Sequence, residues 1–291
     1  MKRVILCPNP YRDKGLRAAK EADAILRAAG LDTVYCLPFK PEGGEGQFGV
    51  SCRPLQQELR SSDLIVAFGG DGTILHLAKA AATRSIPLLG VNLGSLGFMS
   101  ELEVGEMQLL RHLATGQFKR ERRMMLDIAV VRDGRTVYTN SALNDAVVSK
   151  GAMARVIRLQ VTAGETPLGM FAGDGVVVAS PTGSTGYSLS AGGPIVEPTA
   201  QNFVISPICA HTVFSKSFVL SASGLVTVAP ADQGRKQVYL SVDGGKAFSL
   251  RPGDQVRISR SRYETELLRL SDKSIYEILG TKMTGGIGHE K

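Results

Sequence analysis

Residues 64–73 read Leu64-Ile65-Val66-Ala67-Phe68-Gly69-Gly70-Asp71-Gly72-Thr73. A short apolar run rich in branched residues is a buried strand. The glycines at its end let backbone approach a bound group closely. Thr73 then opens Ile74-Leu75-His76-Leu77-Ala78-Lys79, a helix whose free N–H groups can hold phosphate. One carboxylate, Asp71, sits inside this anion-binding element. Such a group would repel phosphate, so its presence calls for a chemical role. It could hold a metal, or take a proton from a hydroxyl about to be phosphorylated. A glycine turn with a helix-capping Asp is the plainer meaning of the same pentapeptide.

Outward from this junction, strands and helices alternate. Val4-Ile5-Leu6 is a strand, and Leu16 to Ala29 has apolar residues at helical spacing with Gly30 placed to end the helix. Thr33 to Leu37 is a second strand, the glycine-rich 38–53 stretch a loop, Leu55 to Leu59 a helix, and Ile86 to Val91 a strand ending in Asn92-Leu93-Gly94-Ser95-Leu96-Gly97-Phe98. This order predicts an α/β domain over 1–118 with a Rossmann-like open, mainly parallel sheet, whose ligands lie beyond the carboxyl ends of the strands.

Past residue 120 the period changes to two. Leu126 to Val130 alternates, Asp133-Gly134 turns, and Thr136-Val137-Tyr138 returns as a hairpin. Further runs at 157–161, 176–179, 225–228, 238–242 and 256–258, with turns at Asp243-Gly244 and Pro252-Gly253, predict a mostly antiparallel β-sandwich over 119–263. The tail 264–291 is expected to pack back on the first domain.

Bulk properties narrow the function. The 291 residues carry 43% hydrophobic and 21% charged residues, a globular balance. No apolar run can span a bilayer, and Pro8 and Pro10 cut short the signal-like start, so membrane attachment is not expected and a cytoplasmic location is. Cys7, Cys36, Cys52 and Cys209 have no metal-type spacing and resemble small apolar residues in strands. The net charge of +7 suits an anionic ligand, whereas the absence of Trp and of an aromatic-interleaved basic segment argues against nucleic acid.

A second constellation runs from Gly173-Asp174-Gly175 through Ser180-Pro181-Thr182-Gly183-Ser184-Thr185-Gly186-Tyr187-Ser188-Leu189-Ser190 to Gly192-Gly193-Pro194. Glycines give backbone access, hydroxyls supply donors and acceptors, and Tyr187 supplies a flat face, a mixture suited to a nucleoside. A flexible surface loop is the alternative. Asn144-Asp145 could bind ribose hydroxyls or an adenine edge, although a turn is the commoner meaning of such a dipeptide. His76 lies in the first turns after Asp71, within reach of a phosphate or the Asp, and His211 follows a strand end; for each alone a structural histidine is the favoured meaning. No His/Cys/carboxylate set has metal spacing.

In order and spacing, Gly69 to Thr73, Asn144-Asp145, Asp174 through Pro194, Ile208 to His211 and the Asp243-Gly244 turn resemble NAD kinases over nearly the whole chain. The first element is shared with diacylglycerol-type lipid kinases and phosphofructokinases; the 181–188 segment is the specific part. The resemblance implies ATP-dependent phosphorylation of the 2′-hydroxyl of the adenosine ribose of NAD to give NADP. Asp71 would then accept the proton, with Gly72 and His76 beside the diphosphate or ATP. Asn144 and Asp145 would hold the ribose and adenine edge, and Thr185, Gly186, Tyr187, Ser188, Leu189 and Ser190 would line the adenosine pocket. Asp174 would meet the nicotinamide end, and Arg155 matches a ligand-reaching position. Mg²⁺ or another divalent ion would arrive with ATP or another phosphate donor, and the enzyme would be a homodimer or homotetramer. Asp145 stands where Glu is usual, Gly186 where Ala is usual, and Gly245 where some bacterial members have Gln. A lipid kinase or a non-catalytic nucleotide sensor are the alternatives.

Overall fold

The structure, a computed structural model, describes residues 1–42, 44–94, 97–151, 155–211, 216–231, 236–271, 274 and 276–280. Ser95 and Leu96 of the loop after the Ile86 strand, and residues 281–291 of the tail, lie outside them. The chain forms two compact units: 1–122 together with Thr265 onward, and Arg123–Glu264.

In the first unit, strands β1 (Arg3–Pro8), β2 (Asp32–Tyr35), β3 (Leu64–Gly69) and β4 (Leu88–Asn92) form a parallel sheet in the order β2-β1-β3-β4, with the short β5 (Leu102–Glu103) beside β4. Helix α1 (Arg17–Ala28) packs Ala22 and Leu26 onto the face of Val4, Leu6, Leu64 and Val66. The alternate strand residues Ile5, Ile65 and Leu88 are buried as well, as a parallel sheet covered on both faces demands. Asp13 holds the start of α1: its two carboxylate oxygens accept the Ala18 and Ala19 N–H groups, each at 3.0 Å. Gly30, at φ +83°, takes the left-handed conformation that ends the helix. After the four-residue α2 (Leu55–Glu58) comes α3 (Asp71–Ala82), which buries Ile74, Leu77, Ala78 and Ala81. A β-carbon on Gly90 of β4 would meet Ile74 and Ser100, so glycine lets α3 and the following loop lie close to the sheet.

The second unit contains two antiparallel sheets. One takes strands from β6 (Lys119–Arg132), β7 (Arg135–Ala142), β9 (Ile157–Ala163), β10 (Thr166–Gly173), β14 (Leu225–Pro230) and β17 (Gln255–Arg269). The other is built from β8 (Asp145–Lys150), β11 (Gly175–Ala179), β12 (Asn202–Ile208), β13 (Phe218–Ser221), β15 (Val238–Val242) and β16 (Phe248–Leu250), in the order β13-β12-β11-β8-β15-β16. Inward residues of both, among them Leu126, Val148, Leu159, Val178, Phe203 and Ile258, form one core, which makes the unit a sandwich. Asp133-Gly134 and Asp243-Gly244 both have positive φ at the two positions, as tight hairpin turns require. Strands β6 and β17 each begin in one unit and end in the other.

Candidate active site

At the β3–α3 junction the helix starts at Asp71, two residues earlier than the sequence suggests; Gly70 is extended and Gly72 is already helical. The capping role does not hold, because Asp71 makes no side-chain cap to its own helix. Its carboxylate instead accepts the Phe98 N–H at 2.8 Å and the Met99 N–H at 3.1 Å, both from the loop after β4. Each oxygen takes one amide, so lone pairs remain for a substrate hydroxyl. That loop is itself held: Arg269 donates to the Met99 carbonyl at 3.3 Å and pairs with Glu101 at 3.2 Å and Glu121 at 3.0 Å.

Beside Asp71 opens a cavity of 330 Å³ whose walls include Asn9, Arg12, Phe39, Gly70, Gly72 and Asn92. A β-carbon on Gly70 or Gly72 would meet nothing, and neither has positive φ, so packing gives no reason for glycine at either position. Each leaves open space on the cavity wall. Arg12 brings positive charge to the same wall as the first turn of α3, whose leading N–H groups lack helical partners. His76 is exposed and its ring lies 4.5 Å from that of Phe39, so it borders the cavity through Phe39.

In the second unit the corner Leu143-Asn144-Asp145 leads into β8. The Asn144 side-chain oxygen is buried with no hydrogen-bond partner among the described residues. A buried acceptor left without a donor is unfavourable unless a ligand completes it. Asp145 is only 6% exposed, and burial together with the neighbouring Asp243 carboxylate raises its pKa to about 7. The Ser180 N–H donates to the Asn144 carbonyl at 2.8 Å, and Gly183 abuts that carbonyl so closely that no β-carbon fits there.

The segment after β11 is not a loose loop. Thr182–Thr185 and Tyr187–Ser190 are single helical turns separated by Gly186. A β-carbon at Gly186 would lie 3.4 Å from the Asn144 amide nitrogen and 3.3 Å from the Gly183 carbonyl, so the turn and Asn144 share one wall. Tyr187 and Leu189 are 46% and 39% exposed, and Ser190 is exposed. Ser188 differs: it is fully buried, its hydroxyl bonds Ser206 at 3.0 Å, and its carbonyl accepts the Gly193 N–H at 2.8 Å. Thr185 donates to the Thr182 carbonyl at 3.2 Å.

Asp174 precedes β11 and Ser180 follows it. Six steps of extended chain put them roughly 20 Å apart, so Asp174 is not gathered with Asn144 and Asp145. Its carboxylate pairs with Lys150 at 2.6 Å. Arg155 is exposed just before β9, and His211 is exposed after β12. Among the described residues, no three His, Cys, Asp or Glu side chains converge on a metal position. Asn9, Arg12, Phe39 and Gly97 carry no sequence signature that would single them out. Arg123, buried and donating to Thr182 at 3.3 Å, is equally hidden.

Residues 53–118 match the ATP-NAD kinase N-terminal domain and residues 143–270 the ATP-NAD kinase C-terminal domain. The NAD kinase of Natranaerobius thermophilus is 39% identical over 287 residues, covering 98% of this chain and 99% of that protein. The NAD kinase of Symbiobacterium thermophilum is 44% identical over 224 residues, 77% of this chain and 79% of the relative. Yeast NADH kinase complexed with NADH superposes with a TM-score of 0.80 at 25% identity, over 100% of this chain and 89% of that one. An NAD kinase from Archaeoglobus fulgidus in complex with ATP shares the fold at a TM-score of 0.74 and 22% identity, over 97% and 98% of the two chains. This chain therefore belongs to the ATP-NAD kinase family.

Proposed function

We propose that this protein transfers the γ-phosphoryl group of ATP to the 2′-hydroxyl of the adenosine ribose of NAD, giving NADP and ADP. The observation that carries the chemistry is the Asp71 carboxylate, held by two loop amides beside a glycine-walled cavity that also presents Arg12. The ribose oxygen attacks phosphorus, the bond from Pγ to the β–γ bridging oxygen breaks, ADP leaves with that electron pair, and the hydroxyl proton passes to Asp71. Phosphoryl transfer asks mainly for alignment and charge neutralisation, which Arg12 and the amides of the first α3 turn supply. The divalent cation, Mg²⁺ or an equivalent, enters on the nucleotide's phosphates as part of the substrate.

Asn144 and Asp145 bind the ribose and adenine edge; the unpartnered Asn144 oxygen awaits a donor such as an amino group. Tyr187 stacks on the base, and Thr185, Gly186, Leu189 and Ser190 complete that pocket, with Ser188 buried within the same turn. Gly72 and His76 border the phosphates. Arg155 reaches the dinucleotide as a cation, and Asp174 meets the nicotinamide end in exchange for Lys150. Buried reduced cysteines at 7 and 36 suit a cytoplasmic enzyme, and a homodimer or homotetramer is the assembly in keeping with the family resemblance. No helix among the described residues is long and apolar enough to cross a membrane. The 181–188 segment, within the match to the ATP-NAD kinase C-terminal domain, favours NAD over a lipid as acceptor. A pure nucleotide sensor has no use for a carboxylate beside phosphates.

Incubation with Mg-ATP and NAD, followed by detection of NADP with an NADP-specific dehydrogenase, tests the activity directly. Asp71→Asn should lower kcat by about 10²–10⁴-fold with NAD binding nearly unchanged. Near-normal turnover would make Asp71 structural.

A further inference from the structure

Asp243 lies in the turn after β15, about 100 residues along the chain from the Asn144 corner, yet both of its carboxylate oxygens are spent on that corner. Oδ2 accepts the Leu143 N–H at 2.8 Å, and Oδ1 accepts the N–H groups of Asn144 at 2.8 Å and Asp145 at 3.0 Å. The Asp243 N–H in turn donates to the Asp145 carbonyl at 3.0 Å. Three consecutive amides pointing at one carboxylate form a concave corner that no strand ladder imposes. The left-handed backbone at Asp243 and Gly244, φ +47° and +67°, turns the carboxylate back toward it. From the other side, Ser180 binds the Leu143 and Asn144 carbonyls, so the peptide units carrying both side chains are fixed at either edge.

We propose that Asp243 is a positioning residue for dinucleotide binding: its carboxylate, through three amide hydrogen bonds, sets the direction in which Asn144 and Asp145 present their side chains to NAD. The role rests on the ligand-binding assignment of Asn144 and Asp145 made above. Burial pushes the Asp243 carboxyl above its ordinary range, and the three amides draw it back toward the charged form. An amide cannot replace it. Asparagine can offer its oxygen to the Asn144 and Asp145 N–H groups only by turning its NH₂ toward the Leu143 N–H, donor against donor.

Steady-state kinetics of Asp243→Asn, of the double variant Asn144→Ala/Asp145→Ala and of the triple variant test this. Asp243→Asn should raise KM for NAD by about tenfold or more, leave KM for ATP within about twofold, and retain the wild-type circular dichroism spectrum. In the triple variant the Asp243 substitution should add nothing to the double variant's KM for NAD, because its effect passes through the two side chains already removed. An added loss there would mean a general structural role and would overturn the proposal. A double variant with normal KM for NAD would instead remove Asn144 and Asp145 from the site, whereas an affected double variant with a normal Asp243→Asn enzyme would overturn positioning alone. Should Asp243→Asn fail to fold, Asp243→Glu decides. It keeps the charge but moves the oxygens by one methylene, and a KM for NAD equal to wild type would count against the proposal.

Discussion

Gly97 faces the carboxylate of Asp71 so closely that a β-carbon at position 97 would overlap Oδ1. The next two residues, Phe98 and Met99, supply the amides that hold the same carboxylate. The three atoms nearest a methyl group at 97 all belong to Asp71, the end of a short side chain, and displacing it breaks both hydrogen bonds. Gly97→Ala should fold, since the side chain can yield, and should lose about 10²-fold in kcat as the proton acceptor leaves its aligned position. KM for NAD should stay within about twofold. Wild-type turnover in Gly97→Ala would show that Asp71 needs no such fixed placement.

Tyr187 is one of the exposed large side chains of the second unit. At 46% exposure its removal should shift folding stability by no more than about 0.5 kcal/mol. If its ring stacks on adenine, Tyr187→Ala should raise KM for NAD by about tenfold, and Tyr187→Phe by far less. Denaturant melts beside saturation kinetics separate the two quantities. A variant with altered melting and unaltered KM would assign Tyr187 to the fold.

The fold is readable where periodicity is strong. Leu64 to Phe68 and the alternation at Leu126 to Val130 mark a buried strand and a half-buried one. The start of α3 reads two residues late because Gly72 is a poor helix former, and the first helical positions tolerate it. Asp71, Asn144 and Tyr187 stand out because chemistry-bearing residues are gathered in a local motif. The bonding of Asp243 does not, since its three bonds span 98 to 100 residues and the sequence shows it only as a turn that fits the family pattern. The brace from Arg269 to Met99, 170 residues apart, leaves no local trace either. Phe39 and Arg12 reach the cavity from segments with no motif at all.

Asp145 makes stability depend on pH in an unusual direction. Burial, aided by the Asp243 charge, raises its pKa to about 7 in the folded state, against an ordinary value of 3.8. Below about pH 4 both folded and unfolded chains hold this proton. From there to about 7 the folded chain holds it and the unfolded chain does not, so stability falls as pH rises through that window. Above it the folded state bears an ionised buried carboxylate. Asp145→Asn removes this contribution, by an amount on the order of a few kcal/mol. In urea titrations at pH 5 and pH 8, the variant should gain on wild type at pH 8. An identical difference at both pH values would mean that Asp145 is ionised throughout.

Arg132 and Asp254 offer the opposite case, and an asymmetric one. The guanidinium binds both carboxylate oxygens at 2.7 Å, and the Arg251 N–H adds a third bond at 2.8 Å. Burial alone would raise the Asp254 pKa, but these partners outweigh it and leave it below the ordinary value. Its stabilisation is thus present above the unfolded carboxylate's pKa and is lost as pH falls through the lower folded value. The two partners differ in exposure: the Asp254 side chain is fully buried, whereas that of Arg132 is 20% exposed. Arg132→Met leaves the buried Asp254 carboxylate without its two-pronged partner and should be the more destabilising change. Asp254→Ala frees a guanidinium that can turn to water and should cost about 1–3 kcal/mol. Urea unfolding at pH 7 should therefore rank Arg132→Met as the weaker protein. The reverse order would mean that the three bonds to Asp254, rather than the burial of its charge, dominate this corner of the sandwich.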